Sequence, residues 1–421
     1  MESNGVGGKR LLLVAQTTGY QTRAFADAAA RLGVHARLAT DRCHILDDPW
    51  ADAAIAVRFE AVRWSLRKVR EQAPFDGVSA AGDRPALLAS YIARELGLRF
   101  SPPEAVAASR NKFLTRERLR AAGMPVPDFL RIPLEADAGE AARSVSFPCV
   151  LKPLGLSASR GVIRAGDPGG FVAAFDRIRR LLALPDIRRF RDETDRYVQV
   201  ETFVPGWEYA IEGVVSGGHL QILAIFDKPD PLDGPFFEET IYVTPSRAAG
   251  STQEAIAAAA QQAVAALGLT WGPIHAEARV NDSGVWVLEV AARPIGGLCA
   301  RALRFQDGMT LEELIVRHAL GADVSTLQRE AQASGVMMIP IPAGGVYQGV
   351  DGVEAASAIP GVEEIIITAK QGQELMPLPE GSSYLGFIFA RAGSPEAVEA
   401  ALRAAHARLD FQILAKLPMT R

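Results

Sequence analysis

The segment from His275 to Gly297 predicts a β-hairpin with two facing carboxylates. Apolar β-type runs flank Asn281-Asp282-Ser283-Gly284, a cluster of turn-forming residues. Glu277 and Glu289 stand six residues on either side of Ser283, so a turn centred there sets them opposite each other, roughly 5 Å apart at Cβ. Like charges so placed are destabilising unless a cation lies between them, and hard ions such as Mg²⁺ or Mn²⁺ favour oxygen ligands. The hairpin therefore predicts a metal site at Glu277 and Glu289.

Arg293 extends this interpretation, because it follows Glu289 by four residues. A guanidinium there can hold an anion against a metal bound by the two glutamates. The alternative is an ordinary solvated hairpin whose glutamates point to water. The hairpin pattern by itself does not distinguish a metal site from a solvated hairpin. The other motifs of the chain are needed to choose between these two interpretations.

Length and composition indicate the number of domains and argue against several classes of protein. A chain of 421 residues suggests about three domains. The formal net charge of −4 argues against a nucleic-acid-binding surface, and no apolar run approaches the length of a membrane span. Cys43, Cys149 and Cys299 are scattered and odd in number, which excludes a disulfide framework or a cysteine zinc site. We therefore expect a cytoplasmic protein without nucleic-acid or membrane partners.

Residues 10 to about 100 alternate strand and helix signals. Strand patterns at 11–15, at 34–39 and from 75 onward alternate with helix patterns at 21–32 and 85–96. This alternation of strands and helices predicts a small open parallel sheet. No GxGxxG motif follows the first strand, and no Walker A sequence occurs in the chain. We therefore do not expect this sheet to hold a nucleotide.

The middle of the chain places a lysine in an apolar strand that runs into a loop of small residues. The strand at 147–153 contains Lys152, and the loop from Gly155 to Gly161 follows it. Lysine is much rarer than arginine in this chain, so a lysine within a strand suggests a need for a compact charge. A strand followed by a Gly/Ser loop exposes backbone N–H groups to phosphate oxygens, although an ordinary hairpin loop has the same pattern.

Further helices and strands follow the usual patterns. A helix is predicted over 109–122, capped by Ser109 and ended by Gly123. The remaining predicted elements are strands at 197–203, 208–215, 363–370 and 385–390, β-type sequence at 335–349, and helices at 255–267, 311–320 and 394–407.

In this order the motifs resemble the ATP-grasp superfamily, from about residue 75 to the end. The matching segments are Gly82-Asp83, Ser109–Lys112 with Ala121–Pro127, Val150–Pro153 with its loop, Val200–Tyr209, and Glu277 with Glu289–Arg293. Within the superfamily, His275-Ala276-Glu277, Glu289–Arg293 and Tyr384–Ala390 are similar to segments of the carboxylate–amine ligases, including the L-amino acid ligases. Ala291 is a departure, because many ATP-grasp enzymes carry there an asparagine that is a further Mg²⁺ ligand. The resemblance therefore implies ATP and one or two Mg²⁺ or Mn²⁺ ions.

The resemblance also implies the architecture. We expect an α/β, ATP-grasp fold with an N-terminal open parallel α/β domain over 1–107. The nucleotide-binding and catalytic region would span 108–321, and an α+β domain would span 322–421. A homodimer through the N-terminal domain is a further expectation.

Residue roles follow from the matching motifs. Lys112 and Lys152 would reach the nucleotide phosphates, under a loop that includes Ser157, Ser159 and Gly161. Glu201 and the backbone of Phe203 and Val204 would edge the adenine, and Glu208 would accept from the ribose. The catalytic residues would be Lys152, Lys228 and Arg293, and Glu277 and Glu289 would bind metal. The residues expected at the acceptor substrate are His275, Arg293, Gly296 and Gly297.

The implied activity is ATP-dependent ligation of a carboxylate to an amine, both small molecules and expected to be amino acids. An acyl phosphate would form first, and the products would be a dipeptide-like amide, ADP and phosphate. One alternative is an ATP-grasp enzyme for bicarbonate or a nucleotide precursor, and another is an inactive nucleotide-binding protein. Small residues beside Arg293 leave room for a carboxylate larger than bicarbonate. The residues do not specify which carboxylate or which amine is used.

Overall fold

Four β-sheets organise the computed structural model, which describes residues 5–16, 21–41 and 54–416. The N-terminal layer is parallel, and β1 pairs with both β2 and β4. Its strand order is β3-β2-β1-β4, which confirms the predicted open parallel sheet. Its elements are β1 (Arg10–Ala15), α1 (Gln21–Arg31), β2 (His35–Thr40), β3 (Ile55–Ala56), α2 (Val62–Arg70), β4 (Gly77–Ala81) and α3 (Asp83–Leu96).

Two helices follow, α4 (Pro103–Arg110) and α5 (Lys112–Ala121), so the single helix predicted over 109–122 is wrong. Ser109 lies within α4 and is not a cap. Asn111 breaks the helix with an extended backbone, and its side chain accepts from the N–H groups of Phe113 and Leu114. Asparagine is a preferred N-cap residue. The break places Lys112 at the start of α5.

An antiparallel sheet of order β5-β8-β6-β7 forms the next layer. Helix α7 covers one face with its apolar side, where Phe171, Phe175 and Ile178 are fully buried. The elements are β5 (Phe129–Pro133), α6 (Ala138–Ala142), β6 (Cys149–Pro153), β7 (Ile163–Ala165), α7 (Pro168–Leu182), α8 (Pro185–Arg188) and β8 (Tyr197–Thr202).

Eight antiparallel strands form the largest sheet, in the order β13-β12-β9-β10-β11-β14-β18-β16. Its elements, with the helices between them, are β9 (Trp207–Ser216), β10 (His219–Asp227), β11 (Ile241–Thr244), α9 (Gly250–Leu267), β12 (Trp271–Asn281), β13 (Gly284–Ala291), α10 (Leu311–Ala319), β14 (Ala333–Ile339), β16 (Val362–Ile367) and β18 (Gly386–Ala392).

The C-terminal region adds a small sheet of order β17-β15-β19. Its elements are β15 (Gly345–Asp351), α11 (Val353–Ser357), β17 (Glu374–Leu375), α12 (Pro395–His406) and β19 (Asp410–Leu414). The large sheet crosses the predicted limit between residues 321 and 322, because β11 pairs with β14 from Ile241 opposite Met337 to Thr244 opposite Ser334. The predicted α/β architecture, with an open parallel sheet in the N-terminal part, is confirmed, and the domain limits remain predictions.

Within the described ranges, no helix combines the length and the apolar character needed to cross a membrane. Cys149 and Cys299 are buried and free, whereas Cys43 lies outside the described residues.

Candidate active site

A cavity of about 500 Å³ lies where the carboxyl end of β4, the β5-β8-β6-β7 sheet and the large sheet meet. It gathers residues that are far apart in sequence. All the predicted site residues line it except Gly161 and Lys228. Those in the lining are Lys112, Lys152, Ser157, Ser159, Glu201, Phe203, Val204, Glu208, His275, Glu277, Glu289, Arg293, Gly296 and Gly297.

The hairpin sets Glu277 opposite Glu289, as predicted. Its turn, however, consists of Asp282 and Ser283 and is therefore centred half a residue before Ser283. In the register of that turn, Glu277 would face Leu288. A β-bulge beside Glu277 adds one residue to β13 and restores the opposition of the two carboxylates.

Lys228 lies behind Glu277, within a group of three carboxylates. Its Nζ contacts Oε1 of Glu208 at 2.8 Å and Oε1 of Glu277 at 3.1 Å, and it also pairs with Glu239. Burial by itself lowers the pKa of the fully buried Lys228, but the three carboxylates outweigh burial and raise it well above its usual range. Lys228 is thus a fixed positive charge that holds Glu277 in place. Its contact with the transferring phosphate remains a prediction.

Glu239 shares this group. Burial and the negative charge of Glu277 raise the pKa of Glu239 to about 7, against the opposing effect of Lys228. The carboxylates of Glu208, Glu239 and Glu277 each offer an oxygen, and these oxygens lie within 4.8 Å of one another. In the described structure the Lys228 ammonium lies among them.

Glu208 has both carboxylate oxygens engaged. Lys228 pairs with its Oε1, and Nε of Arg279 pairs with its Oε2 at 2.8 Å. Arg279 also donates to the carbonyl oxygen of Val204 at 2.7 Å. Because a carboxylate has about four acceptor sites, Glu208 retains capacity for the predicted ribose hydroxyls.

A buried charge network holds Lys152. Its Nζ lies 2.6 Å from Oε2 of Glu201, and Arg116 Nε lies 2.8 Å from Oε1 of the same carboxylate. Burial by itself raises the pKa of Glu201, but the two cations outweigh it and lower the pKa to about 2. Burial lowers the pKa of Lys152, although Glu201 opposes that shift. The network points the ammonium into the cavity and holds it there.

We expect Arg116→Met to lower the free energy of unfolding by roughly 3 kcal/mol at neutral pH, because it removes one partner of a buried ion pair. Urea denaturation measures this loss, and Arg120→Met, an exposed arginine on the same helix, is the control. Equal stability of the two variants would contradict the role of Arg116.

The same network predicts an acid dependence of stability. Because the folded pKa of Glu201 is depressed to about 2 from an ordinary 4.5, its stabilisation is complete above pH 4.5. It is lost as the pH falls from about 4.5 to about 2. Arg116→Met should weaken this dependence, and a pH dependence equal to that of the wild type would contradict the assignment.

The loop from Gly155 to Gly161 covers the cavity beside Lys112 and Lys152. Lys112 donates from Nζ to the carbonyl oxygen of Leu156 at 2.6 Å and lies 3.6 Å from Oε2 of Glu289. It therefore links the loop to the hairpin carboxylates.

Two further ion pairs shape the end of the cavity nearest the N-terminal sheet. Arg293 pairs through Nε with Oδ1 of Asp83 at 3.1 Å, at the start of α3. His275 lies with Nδ1 2.6 Å from Oε1 of Glu212 and Nε2 3.6 Å from Oε1 of Glu277. Burial lowers the pKa of His275, but its hydrogen bonds to these two carboxylates outweigh burial and raise it to about 9, so the ring is cationic at neutral pH.

Several residues of the site had no assigned role in the sequence interpretation. Glu239 lies between β10 and β11, where no periodic pattern marks it. Glu212 and Arg116 look like ordinary members of a strand and a helix, and only the fold buries them. Arg279 had a usable signal, because it stands two residues after Glu277 on the same face of a mostly apolar strand.

Two parts of the chain match known domain families, and the whole fold is similar to a solved structure. Residues 145–302 match the ATP-grasp domain, and residues 337–413 match the L-amino acid ligase C-terminal domain 2. The crystal structure of L-amino acid ligase from Bacillus licheniformis has a TM-score of 0.82 and 26% identity, over 96% of this chain and 98% of that chain.

Two sequence relatives extend the comparison. An uncharacterized protein of Sinorhizobium fredii is 25% identical over 415 residues, covering 96% of this chain and 83% of its own. Dapdiamide A synthase from Enterobacter agglomerans is 29% identical over 224 residues, which is 52% of this chain and 50% of that protein. The chain therefore contains an ATP-grasp domain and an L-amino acid ligase C-terminal domain, and it is an ATP-grasp ligase similar to the L-amino acid ligases.

Proposed function

We propose that this protein joins the carboxylate of one amino acid to the amine of a second, through an acyl phosphate made from ATP. The observation that carries the proposal is one cavity in which the opposed pair Glu277 and Glu289 lies together with Lys112, Lys152 and Arg293. Phosphoryl transfer to a carboxylate requires carboxylates that bind a metal, lysines that bind phosphates, and an arginine beyond the metal.

The nucleotide would lie between the β5-β8-β6-β7 sheet and the large sheet. Lys112 and Lys152 would contact its phosphates, under the backbone of Ser157 and Ser159. Phe203 and Val204, between β8 and β9, would edge the adenine, and Glu201 would bind it from β8. Glu208, already oriented by Arg279, would accept from the ribose.

The donor set fits a hard divalent cation. Glu277 and Glu289 present carboxylate oxygens from facing positions of one hairpin, and Mg²⁺ and Mn²⁺ prefer such ligands. When bound, the ion neutralises the triphosphate and orients its γ-phosphoryl group. Ala291 adds no ligand, so Glu277 and Glu289 would provide the hairpin's side-chain ligands.

The proposed chemistry has two transfers. A carboxylate oxygen of the first substrate bonds to the γ-phosphorus as the bond from that phosphorus to the β-phosphate oxygen breaks, which gives an acyl phosphate and ADP. The ammonium of the second substrate first loses one proton to solvent. The resulting amine bonds to the acyl carbon as the bond from that carbon to the phosphate oxygen breaks, and the nitrogen gives one further proton to solvent or phosphate. The products are an amide, ADP and phosphate.

The residues of the chain would act through charge and exclusion of water. Lys152 and Arg293 stabilise negative charge on the transferring phosphoryl oxygens, and Lys228 keeps Glu277 oriented from behind. Because water hydrolyses an acyl phosphate, the loop from Gly155 to Gly161 must stay closed until the amine attacks. Gly296 and Gly297 line the cavity, and a Cβ at Gly296 would meet open space, which leaves room for a substrate larger than bicarbonate.

The test is phosphate release from ATP and Mg²⁺ with pairs of amino acids, combined with mass detection of the amide. We expect release only when a carboxylate and an amine are both present, with one amide formed per phosphate. Release that depends on bicarbonate alone would indicate a carboxylase instead. ATP binding without release under any of these conditions would indicate an inactive nucleotide-binding protein.

A further inference from the structure

We propose that Glu380, in the C-terminal region, is a positioning residue that holds the phosphate loop closed while the acyl phosphate exists. The phosphate loop is defined here as residues 155–161. The inference rests on the proposed function for the role of the loop and on the contacts of Glu380 for the assignment.

The distal end of the phosphate loop is bound to the segment that contains Glu380. Gly161 donates its N–H to the carbonyl oxygen of Pro379 at 2.8 Å. Arg160 donates from Nε to the carbonyl oxygen of Glu380 at 2.7 Å. The Glu380 carboxylate forms a two-point pair with the guanidinium of Arg177 on α7, with one contact at 2.7 Å. Two adjacent main-chain carbonyls and one side chain thus join this end of the loop, and the helix beside it, to the C-terminal region.

The proximal end of the phosphate loop is held separately, by Lys112 at the start of α5, which donates from Nζ to the carbonyl oxygen of Leu156 at 2.6 Å. Gly155 also packs closely against Thr194, because a Cβ atom at position 155 would lie 2.7 Å from Oγ1 of Thr194. Thr194 in turn donates to Asp192, which pairs with Arg84 at 3.3 Å and with Arg110 at 2.5 Å. The loop is therefore held from both flanks of the cavity, and Glu380 belongs to the distal flank.

The conformation of the phosphate loop makes such support necessary. Ala158 and Ser159 have φ values of 55° and 53°, in the left-handed region that is unfavourable for residues other than glycine. Gly161 has φ 77°, and a Cβ there would lie 2.7 Å from Pro153 and 2.8 Å from Leu181. Consecutive left-handed residues persist only when neighbouring structure holds them, and the contacts of Pro379 and Glu380 provide this.

The Glu380 segment also reaches the wall of the cavity. Ser382 and Tyr384 line the same cavity as the phosphate loop. A single short segment therefore contacts the phosphate loop and also lines the cavity, where the proposed function places the substrates. Closure of the loop and occupancy of the acceptor site should consequently be linked through residues 379–384.

The test compares Glu380→Arg with the charge swap Arg177→Glu/Glu380→Arg. Arg177→Glu alone is included because Arg177 also lies over the Phe236 ring, 5.0 Å from its centroid. The matched control is Glu364→Gln, which removes an exposed C-terminal pair with Arg301 away from the cavity. We expect Glu380→Arg to release roughly three or more phosphates per amide, because an open loop admits water to the acyl phosphate. The swap should restore a ratio near that of the wild type, and Glu364→Gln should not change it.

A second readout needs no amino acid substrate. Trypsin cleavage after Arg160, with a non-hydrolysable ATP analogue bound, should be faster in Glu380→Arg than in the wild type, in the swap and in Glu364→Gln. Wild-type coupling and wild-type cleavage in Glu380→Arg would overturn the proposal. If the wild-type protein forms no amide, the proposed function fails, and the cleavage rates still decide the role of Glu380.

Discussion

Glu289→Gln is expected to lower turnover by roughly 100- to 1000-fold, the range seen when one preorganised electrostatic group is lost at an active site. The amide keeps the size of the side chain and removes the negative charge that would bind the metal. It also relieves the repulsion between Glu277 and Glu289, which face each other across the hairpin. The unfolding free energy should therefore not fall while phosphate release does.

The control for Glu289→Gln is Glu104→Gln, which removes an exposed carboxylate paired with Arg94 far from the cavity. Phosphate release over a range of Mg²⁺ concentrations separates metal binding from other effects, because a lost ligand raises the Mg²⁺ concentration required. Wild-type turnover at limiting Mg²⁺ in Glu289→Gln would remove Glu289 from the metal site.

Arg293→Ala is the second large expected effect, and it should lower kcat by about 100-fold or more while raising the KM for ATP much less. Arg293 lies in the cavity beside Asp83, with Glu289 close enough to contribute to its pKa. Burial lowers the pKa of Arg293, but these carboxylates outweigh burial and raise it above its usual range. A cation so fixed acts mainly on charge that develops during transfer, so its loss should appear in kcat.

Because Arg293→Ala leaves the half-buried carboxylate of Asp83 without its partner, Arg293→Lys serves as a second variant that keeps the charge. A lysine lacks the planar fork of arginine and should recover only part of the activity. If Arg293→Ala raises the KM for the carboxylate substrate and leaves kcat unchanged, Arg293 binds that substrate in its ground state and does not act in the transfer.

The hairpin illustrates what the sequence predicts well. Local turn chemistry and alternation fix the register of two adjacent strands to within one residue, because a hairpin is closed by its own turn. The remaining error was a β-bulge, in which Leu288 is the extra residue of β13, because alternation and turn chemistry do not mark such an insertion. The prediction that Glu277 faces Glu289 is correct because two errors compensate. The predicted turn centre is half a residue too late, and the bulged residue in β13 was not predicted.

The parts that sequence missed depend on contacts between distant elements. Arg116 and Glu212 have ordinary local patterns and become buried only when α5 and β9 pack in the fold. Glu239 joins the cavity lining from the loop before β11. Asn111 was overlooked because a helix signal continued on both sides of it. Lys228 was noticed for its residue type, but its three carboxylate partners come from β9, β12 and the loop before β11.

The pairing of β11 with β14 has a consequence for recombination of modules within this superfamily. All four residues of β11 are buried, and each pairs with a residue that follows position 332. A chimera joined at residues 321 and 322 would place the backbone donors and acceptors of β11 against a strand from a different parent. Exchange of the whole eight-stranded sheet would leave each strand with its own hydrogen-bond partners. The C-terminal region therefore cannot be exchanged by itself to change specificity without breaking the pairing of β11 with β14.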